Sequence, residues 1–241
     1  MKKMVTKYLH NFLVLMLLFL VAFPALNVEA KQVSKSKTDE KVVVIDPSGQ
    51  KSSTDKKEPV GPGAFKLVPE SSANQVLGQS KTADYKINLE IANKLNDILT
   101  DAGYTVYMTR TSNDVDLSNS GRAMFANTTG ADIFVVISAD EEDTYAVCSS
   151  NDNPYNYGNY NQARLLSDAI IGSLSHKVEC AKDGVIEDDS KAVINWSSAP
   201  TCIVAVGTAD SEDNNDLADD EYQSTLAQGI ADGIESYFVQ K

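Results

Sequence analysis

Residues 103–140 read GYTVYMTRTSNDVDLSNSGRAMFANTTGADIFVVISAD, and three elements follow one another in that stretch. Residues 104–109 (YTVYMT) are rich in β-branched and aromatic side chains, which predicts a strand. Residues 117–127 (LSNSGRAMFAN) predict a short helix with a serine at its start, where a side-chain oxygen can take up an unpaired backbone N–H. Residues 132–137 (DIFVVI) are apolar without alternation, the pattern of a strand covered on both faces. Strand, helix and strand in so few residues imply a βαβ crossover.

Working outward, residues 41–47 (KVVVIDP) give a second continuous β-branched run ending at a turn former. A long stretch rich in Gly, Pro, Ser and Lys, residues 48–81, predicts a loop of the length that usually carries function or moves. Ile87, Ile91, Leu95 and Ile98 then recur at helical spacing, and Gly103 supplies a stop. Residues 161–174 and 219–239 predict further helices, the first with a broad apolar face. Residues 192–195 and 201–206 (TCIVAV) predict strands. The expected fold class is α/β: a mostly parallel twisted sheet with helices on both faces, in a single domain over residues 41–241.

The first thirty residues differ in kind. Lys2, Lys3 and Lys7 precede an apolar run from Phe12 to Leu26, and Val28-Glu29-Ala30 follows. That order predicts a secretory signal peptide over residues 1–30. The apolar run is short for a bilayer span and is interrupted by Pro24, so no stable membrane anchor is expected. Residues 31–40 are polar, without periodicity, and predict a disordered lead-in. Loss of Lys2, Lys3, Lys7 and Glu29 would take the formal charge from -13 to about -15. A field of that sign opposes nucleic acid and anionic lipid, so no nucleic-acid partner is expected.

Cys148, Cys180 and Cys202 have no CxxC spacing, which disfavours a metal knuckle. Cys202 sits in an apolar strand pattern and is expected as a buried small hydrophobe. Cys148 and Cys180 could pair outside the cell, but sequence does not place them within bridging distance.

The ordered motifs resemble those of the zinc-dependent N-acetylmuramoyl-L-alanine amidases of bacterial cell walls. VVVIDPSGQ (residues 42–50) is similar to the family's IDPGH-type turn, and EPVGPGAF (58–65) and DYKINLEIANKL (84–95) follow. Residues 103–127 with GADIFVVISAD resemble the GY-x-V-x-x-TR…R-x-x-x-AN…GAD-x-F core. VINWSSAP (193–200) and LAQGIADGIESYF complete the series. The resemblance covers residues 42–238 and implies an α/β fold, a peptidoglycan substrate and a zinc ion.

The departures fall on the reactive positions. Where the family has a first zinc ligand, His, this chain has Gly49; for the second, Glu, it has Asp84; for the third, His, it has Ser138. The catalytic Glu position holds Ala205. Gly and Ala offer no side-chain donor, and a neutral hydroxyl is a poor substitute for imidazole. Asp84 keeps a carboxylate that is shorter by about 1.5 Å, one carbon–carbon bond. The chain has two histidines, His10 within the expected signal and His176, which cannot supply the set a catalytic zinc takes. No metal ligand, catalytic residue or cofactor is therefore expected, although the resemblance implies zinc.

Three readings follow. The first is a secreted, catalytically inactive amidase homologue that binds peptidoglycan or a cell-envelope protein through the ancestral groove. The second is a working hydrolase with a rebuilt site using Asp84, Asp140 or a partner's residues. The third is an exported structural or adhesive protein. Asp46, Asp84 and Asp140 with Ser138 would suit a hard cation if they converged; His176 with Cys180 is too small a set for structural zinc. Ser138 as a nucleophile lacks a nearby base in the sequence. The segment NDNPYNYGNY (151–160) offers Tyr155, Tyr157 and Tyr160, with Asp140, as binding candidates, since rigid aromatics among adaptable polar groups suit contact surfaces. The plainer reading is a polar turn with packed tyrosines. Arg110 and Arg122 are expected in structural ion pairs.

Overall fold

The run Val42–Pro47 forms β1, buried from Val43 onward, and its neighbours follow from that burial. In this computed structural model the described residues are 41–52, 55–71, 76–77, 82–139, 143–155, 157–180, 184–207 and 217–241. The expected signal peptide and lead-in, and Asp140, lie outside them. After β1 come β2 (Lys57–Pro59), β3 (Leu67–Pro69), β4 (Val76–Leu77), β5 (Thr82–Ala83) and helix α1 (Asp84–Asp101). Then follow β6 (Thr105–Met108), α2 (Asn119–Thr129), β7 (Ile133–Ser138), β8 (Tyr145–Cys148) and α3 (Tyr160–Leu174). The chain closes with β9 (Val185–Glu187), α4 (Ala192–Asn195), β10 (Thr201–Ala205) and α5 (Asp220–Gln240).

The main sheet has six strands in the order β6-β1-β7-β10-β8-β9. Its centre is parallel: β1 pairs with β6 and β7, and β7 with β10. β8 runs antiparallel to β10 and parallel to β9. The mixed α/β class and the mostly parallel sheet are as the apolar runs predict. Alternate residues of the central strands face opposite layers, which explains why the runs are continuous rather than alternating. Val43, Ile45, Val135, Cys202 and Val204 pack with α1, α3 and α5. Val44, Phe134, Val136 and Ile203 pack with α2 and α4.

Local chemistry sets the helix ends. Ser118 caps α2 by accepting the Gly121 N–H at 3.1 Å, and Gly130 ends it in the left-handed region at φ 69°. Asp219 caps α5 through the Tyr222 N–H at 2.8 Å. Helices α3 and α5 approach closely at Gly233, where an added Cβ would lie 2.4 Å from the Ile170 Cα. Among the described residues, no helix is long and apolar enough to cross a membrane.

Three expectations need correction. Residues 192–195 form a helical turn, not a strand: the Trp196 N–H donates to the Ala192 carbonyl at 3.0 Å. Four apolar residues are too few for periodicity to separate strand from buried helix. Residues 48–81 are not one long loop, since β2 and β3 pair as an antiparallel hairpin and β4 pairs with β5. The short strands β8 and β9 were not expected at all.

All three cysteines are free, with Cys148 and Cys202 buried and Cys180 half-buried. Burial pushes the Cys148 thiol up to about 11 and the Cys202 thiol up to about 12. Burial and then Glu179 raise the Cys180 thiol as well, but it is the more exposed, so folded protein at pH 8 should react with a thiol reagent first at Cys180, and at the other two only after denaturation. Mass mapping of the labelled peptides checks this; equal labelling of all three in native protein would contradict the packing.

Candidate functional site

The carboxyl ends of β1, β7 and β10 meet at one edge, where ligands of open α/β sheets bind. The Ser48 N–H donates to the Ile137 carbonyl at 2.9 Å, tying the β1 exit to β7. Ser138 and Ala205 are direct partners across β7 and β10. Both line a cavity of about 610 Å³, with Asp46 and Ser48 from the β1 end. Its floor is apolar: Val136, Val147 and Ile203 come from the sheet.

A wall comes from the β2–β3 hairpin, which contributes Lys57, Val68 and Pro69. Both carboxylate oxygens of Glu58 accept the Ser120 N–H at the start of α2, at 3.1 and 3.3 Å. A carboxylate is favoured there because the first N–H groups of a helix are unpaired. The Trp196 Nε1–H donates to the Pro59 carbonyl and the Asn195 amide to the Val60 carbonyl, each at 2.9 Å. The hairpin is therefore anchored from two helices.

Two buried arginines hold the β1 exit. Arg122 donates to Asp46 Oδ1 at 2.7 Å, and to Pro47 O, Gly49 O and Gln50 Oε1. Thr109 donates its hydroxyl to the same Asp46 oxygen. Arg110 donates to the carbonyls of Pro47, Ser48, Tyr85 and Ser112 and to Asn113 Oδ1. Arg122 thus makes the expected ion pair, whereas Arg110 instead binds mainly backbone oxygens. Burial, and then the neighbouring Arg122 charge, pull the Arg110 guanidinium down to about 10.

The four positions that the resemblance assigns to the zinc ligands and the base do not all reach the cavity. Ser138 and Ala205 line it; Gly49 and Asp84 are not among its described lining residues. Gly49 sits at φ +70° with its α-carbon face toward Tyr85, where an added Cβ would come 3.3 Å from the Tyr85 Cβ. Asp84 is buried at the start of α1 and accepts the Tyr85 N–H at 2.6 Å. These two therefore adjoin each other through Tyr85. Among the described residues, no three His, Cys, Asp or Glu side chains gather closely enough to hold a metal ion. The donor set at the four positions, one carboxylate and one hydroxyl, does not fit the imidazole-rich set that zinc takes.

The sequence as a whole decides kinship. Residues 43–236 match the sequence pattern of the N-acetylmuramoyl-L-alanine amidases. The chain belongs to that family. It is 31% identical over 155 residues to the uncharacterized protein YqiI of Bacillus subtilis (strain 168), covering 64% of this chain and 74% of YqiI. Its fold is similar to that of the N-acetylmuramyl-L-alanine amidase Ami1 from Mycobacterium abscessus, with TM-score 0.73 and 20% identity over 82% of this chain and 98% of Ami1. It is also similar to the CwlD amidase from Clostridioides difficile, solved in complex with the GerS lipoprotein. There the TM-score is 0.63 at 18% identity, over 83% of this chain and 100% of CwlD.

The tyrosine candidates are dispersed within this amidase fold, and none is among the described lining residues of the cavity. The Tyr155 ring lies against Gly61, where a Cβ would come within 2.7 Å of it, so it packs onto the hairpin connection. Tyr157 is exposed at φ 51°, and Tyr160 donates to Glu187 Oε1 at 2.7 Å. Sequence reading missed Lys56, Lys57, Lys191 and Ser71, all of which line the cavity. The adjacent Lys56-Lys57 pair ahead of EPVGPG was the available signal.

Replacing Arg122 by Met should lower unfolding stability by about 3–5 kcal/mol, because it leaves the Asp46 carboxylate buried without its partner. Urea unfolding at neutral pH measures this, and Asp46→Asn in the same chain should recover part of the loss. A loss below about 1 kcal/mol for Arg122→Met would show that the pair does not hold the β1 exit.

Proposed function

We propose that this member of the amidase family is exported, does not hydrolyse the muramoyl amide, and binds peptidoglycan through the cavity at the carboxyl edge of its sheet. The observation that carries the reading is the pairing of Ser138 with Ala205 on the cavity floor. Zinc amidases need a metal to lower the pKa of water and a base to accept its proton. Side chains this small and neutral do neither, while the space around them stays large enough for a ligand. Export is supported by the basic, apolar and small-residue order of residues 1–30. Phe65 and Leu67 expose apolar surface on the adjoining hairpin, which suits contact with a partner. A cell-envelope protein is the second occupant to consider, because CwlD is solved with the GerS lipoprotein.

Purified protein should co-sediment with peptidoglycan sacculi and release no stem peptides from them, with or without added zinc. Release of new amino termini at a rate that depends on zinc would overturn the inactive reading, and absence of co-sedimentation would overturn wall binding.

Restoring the family residues gives a second test. Gly49→His, Asp84→Glu and Ser138→His together should confer measurable zinc binding, and Ala205→Glu should add slow amide hydrolysis. Affinity should be weak: a left-handed histidine costs about 1 kcal/mol or more, and supporting groups matter to a metal site. A triple variant with an unchanged melting temperature and no zinc by elemental assay would mean that these three positions do not form a metal site.

A further inference from the structure

Two of the three cysteines face one another across the sheet. β8 and β10 run antiparallel, with Ile203 opposite Val147, Val204 opposite Ala146 and Ala205 opposite Tyr145. One step further along that register, Cys202 of β10 stands opposite Cys148 of β8, and both are 0% exposed. The backbone bonds decide which kind of pair this is. β10 turns the Pro200 carbonyl and the Val206 N–H toward β7, where they bond Phe134 and Ser138 at 2.9 and 2.8 Å. β8 turns the Ala146 N–H and the Cys148 carbonyl toward the β9 side, where they bond Gly184 and Asp188 at 2.9 and 3.0 Å. Bonding groups alternate sides along a strand, so the β8–β10 ladder runs through Val147 with Ile203. Cys148 with Cys202 is therefore a non-hydrogen-bonded pair. Opposed residues of that kind have α-carbons about 4.5 Å apart, inside the span of about 4.4–6.8 Å that a disulfide bridges.

A second observation brings the sulfurs themselves together. Residues directly opposite across an antiparallel pair share a face, and Cys202 packs on its face with Leu166 and Ile170 of α3. Between those two lies Ser167, also 0% exposed, whose hydroxyl has no hydrogen-bond partner among the described residues. Burial raises both thiols, and the Ser167 hydroxyl acts on each of them in the opposite direction. One short hydroxyl reaches two thiols only where the thiols are neighbours. Cys180 lies elsewhere: its sulfur is 3.8 Å from the Val178 carbonyl, and it acts on Tyr222 of α5.

We infer that Cys148 and Cys202 are a disulfide site, which staples β8 to β10 when the chain folds in the presence of a disulfide oxidant. The structure shows the dithiol form, and the labelling expected of the folded chain belongs to that form. The oxidant is a small-molecule disulfide or the reactive disulfide of an exported oxidoreductase. One cysteine thiolate attacks a sulfur of the oxidant, forming a mixed disulfide and releasing one thiol. The second cysteine thiolate then attacks the protein sulfur of that mixed disulfide and releases the other thiol. Two cysteine thiols are oxidised while one disulfide is reduced to two thiols, so electrons and hydrogens balance. Both sulfurs are buried and poor in thiolate once folded, so exchange is fast while β8 and β10 are still apart and slow afterwards. The bond joins the strand that brings Tyr145 and Val147 to the cavity with the strand that brings Ile203 and Ala205, and so fixes the spacing of its floor. Meeting such an oxidant in the cell rests on the proposed export, because disulfides persist in oxidising compartments. The pairing itself does not.

The test unfolds the purified chain in reductant, refolds it with or without glutathione disulfide, and maps peptides without reduction. With the oxidant, the peptide holding Cys148 should be joined to the one holding Cys202, and Cys180 should stay outside the bond. The oxidised form should melt about 5–10 °C above the dithiol form. Reductant should remove that gain, Cys148→Ala and Cys202→Ala should each abolish it, and Cys180→Ser should keep it. Oxidant added to chain that is already folded should form the bond about tenfold more slowly, or slower still. If an alanine variant fails to fold, the peptide map of the unaltered chain decides alone. Absence of the Cys148–Cys202 bond after refolding with oxidant, or a bond from either to Cys180, overturns the inference and leaves wall binding untouched. Chain recovered from the culture medium with both thiols free overturns it as well. Chain found only inside cells overturns export instead, and the site then stands on the purified-protein result.

Discussion

The buried ion pair between Arg122 and Asp46 is the constraint on which the site edge depends. The two side chains are 2% and 1% exposed and meet at 2.7 Å. Taking both charges out of water is costly, and attraction repays it only when the remaining donors and lone pairs are also used. Here they are: the guanidinium reaches Pro47, Gly49 and Gln50 besides the carboxylate, and Thr109 reaches Asp46. Gln50 in turn accepts the Leu117 N–H, which fixes the approach to α2. Arg110 binds the other side of the same turn. The β1 exit is therefore held by charged donors from β6's end and from α2 rather than by a ligand.

On the proposed reading, that arrangement explains how the scaffold could outlast the chemistry. Core packing on both faces of the sheet is supplied by apolar side chains from the strands and the helices that cover them. No part of it relies on Gly49, Asp84, Ser138 or Ala205 contributing a metal bond. In structural zinc domains the metal contributes folding energy outright, so loss of ligands unfolds them. Here the turn that carries Gly49 is tied down by arginines, and the strands that carry Ser138 and Ala205 are held by ladder hydrogen bonds.

The α/β class was legible because continuous apolar runs such as residues 132–137 have few other physical explanations, and because α1 repeats its apolar residues at helical spacing over many turns. The short elements were not legible. AVIN became a helical turn in which the Asn195 amide donates to Asp189 O nearby and to Val60 O, a contact far away in sequence. YAVC became β8 by adding antiparallel to the edge of β10, which no local signal announces. At the site, motif order located the strand ends that carry Ser138 and Ala205, but motif order is silent about walls. The lysines became neighbours of those residues only because Glu58, Trp196 and Asn195 hold the hairpin over the sheet edge.

Gly49 shows how tightly the turn after β1 is specified. On the proposed reading, a histidine could not enter this turn without strain, because the backbone there lies at φ +70°, a region that glycine occupies freely and other residues rarely do. Arg122 bonds the Gly49 carbonyl in that conformation, so the arginine network and the glycine reinforce each other. On the proposed reading, the edge is now organised around backbone carbonyls facing inward to cations, and small side chains facing outward to the cavity. On that same reading, the edge carries no metal to polarise a water molecule. It can accommodate one face of a ligand, with the lysines of the hairpin and of the residue before α4 lining the same space.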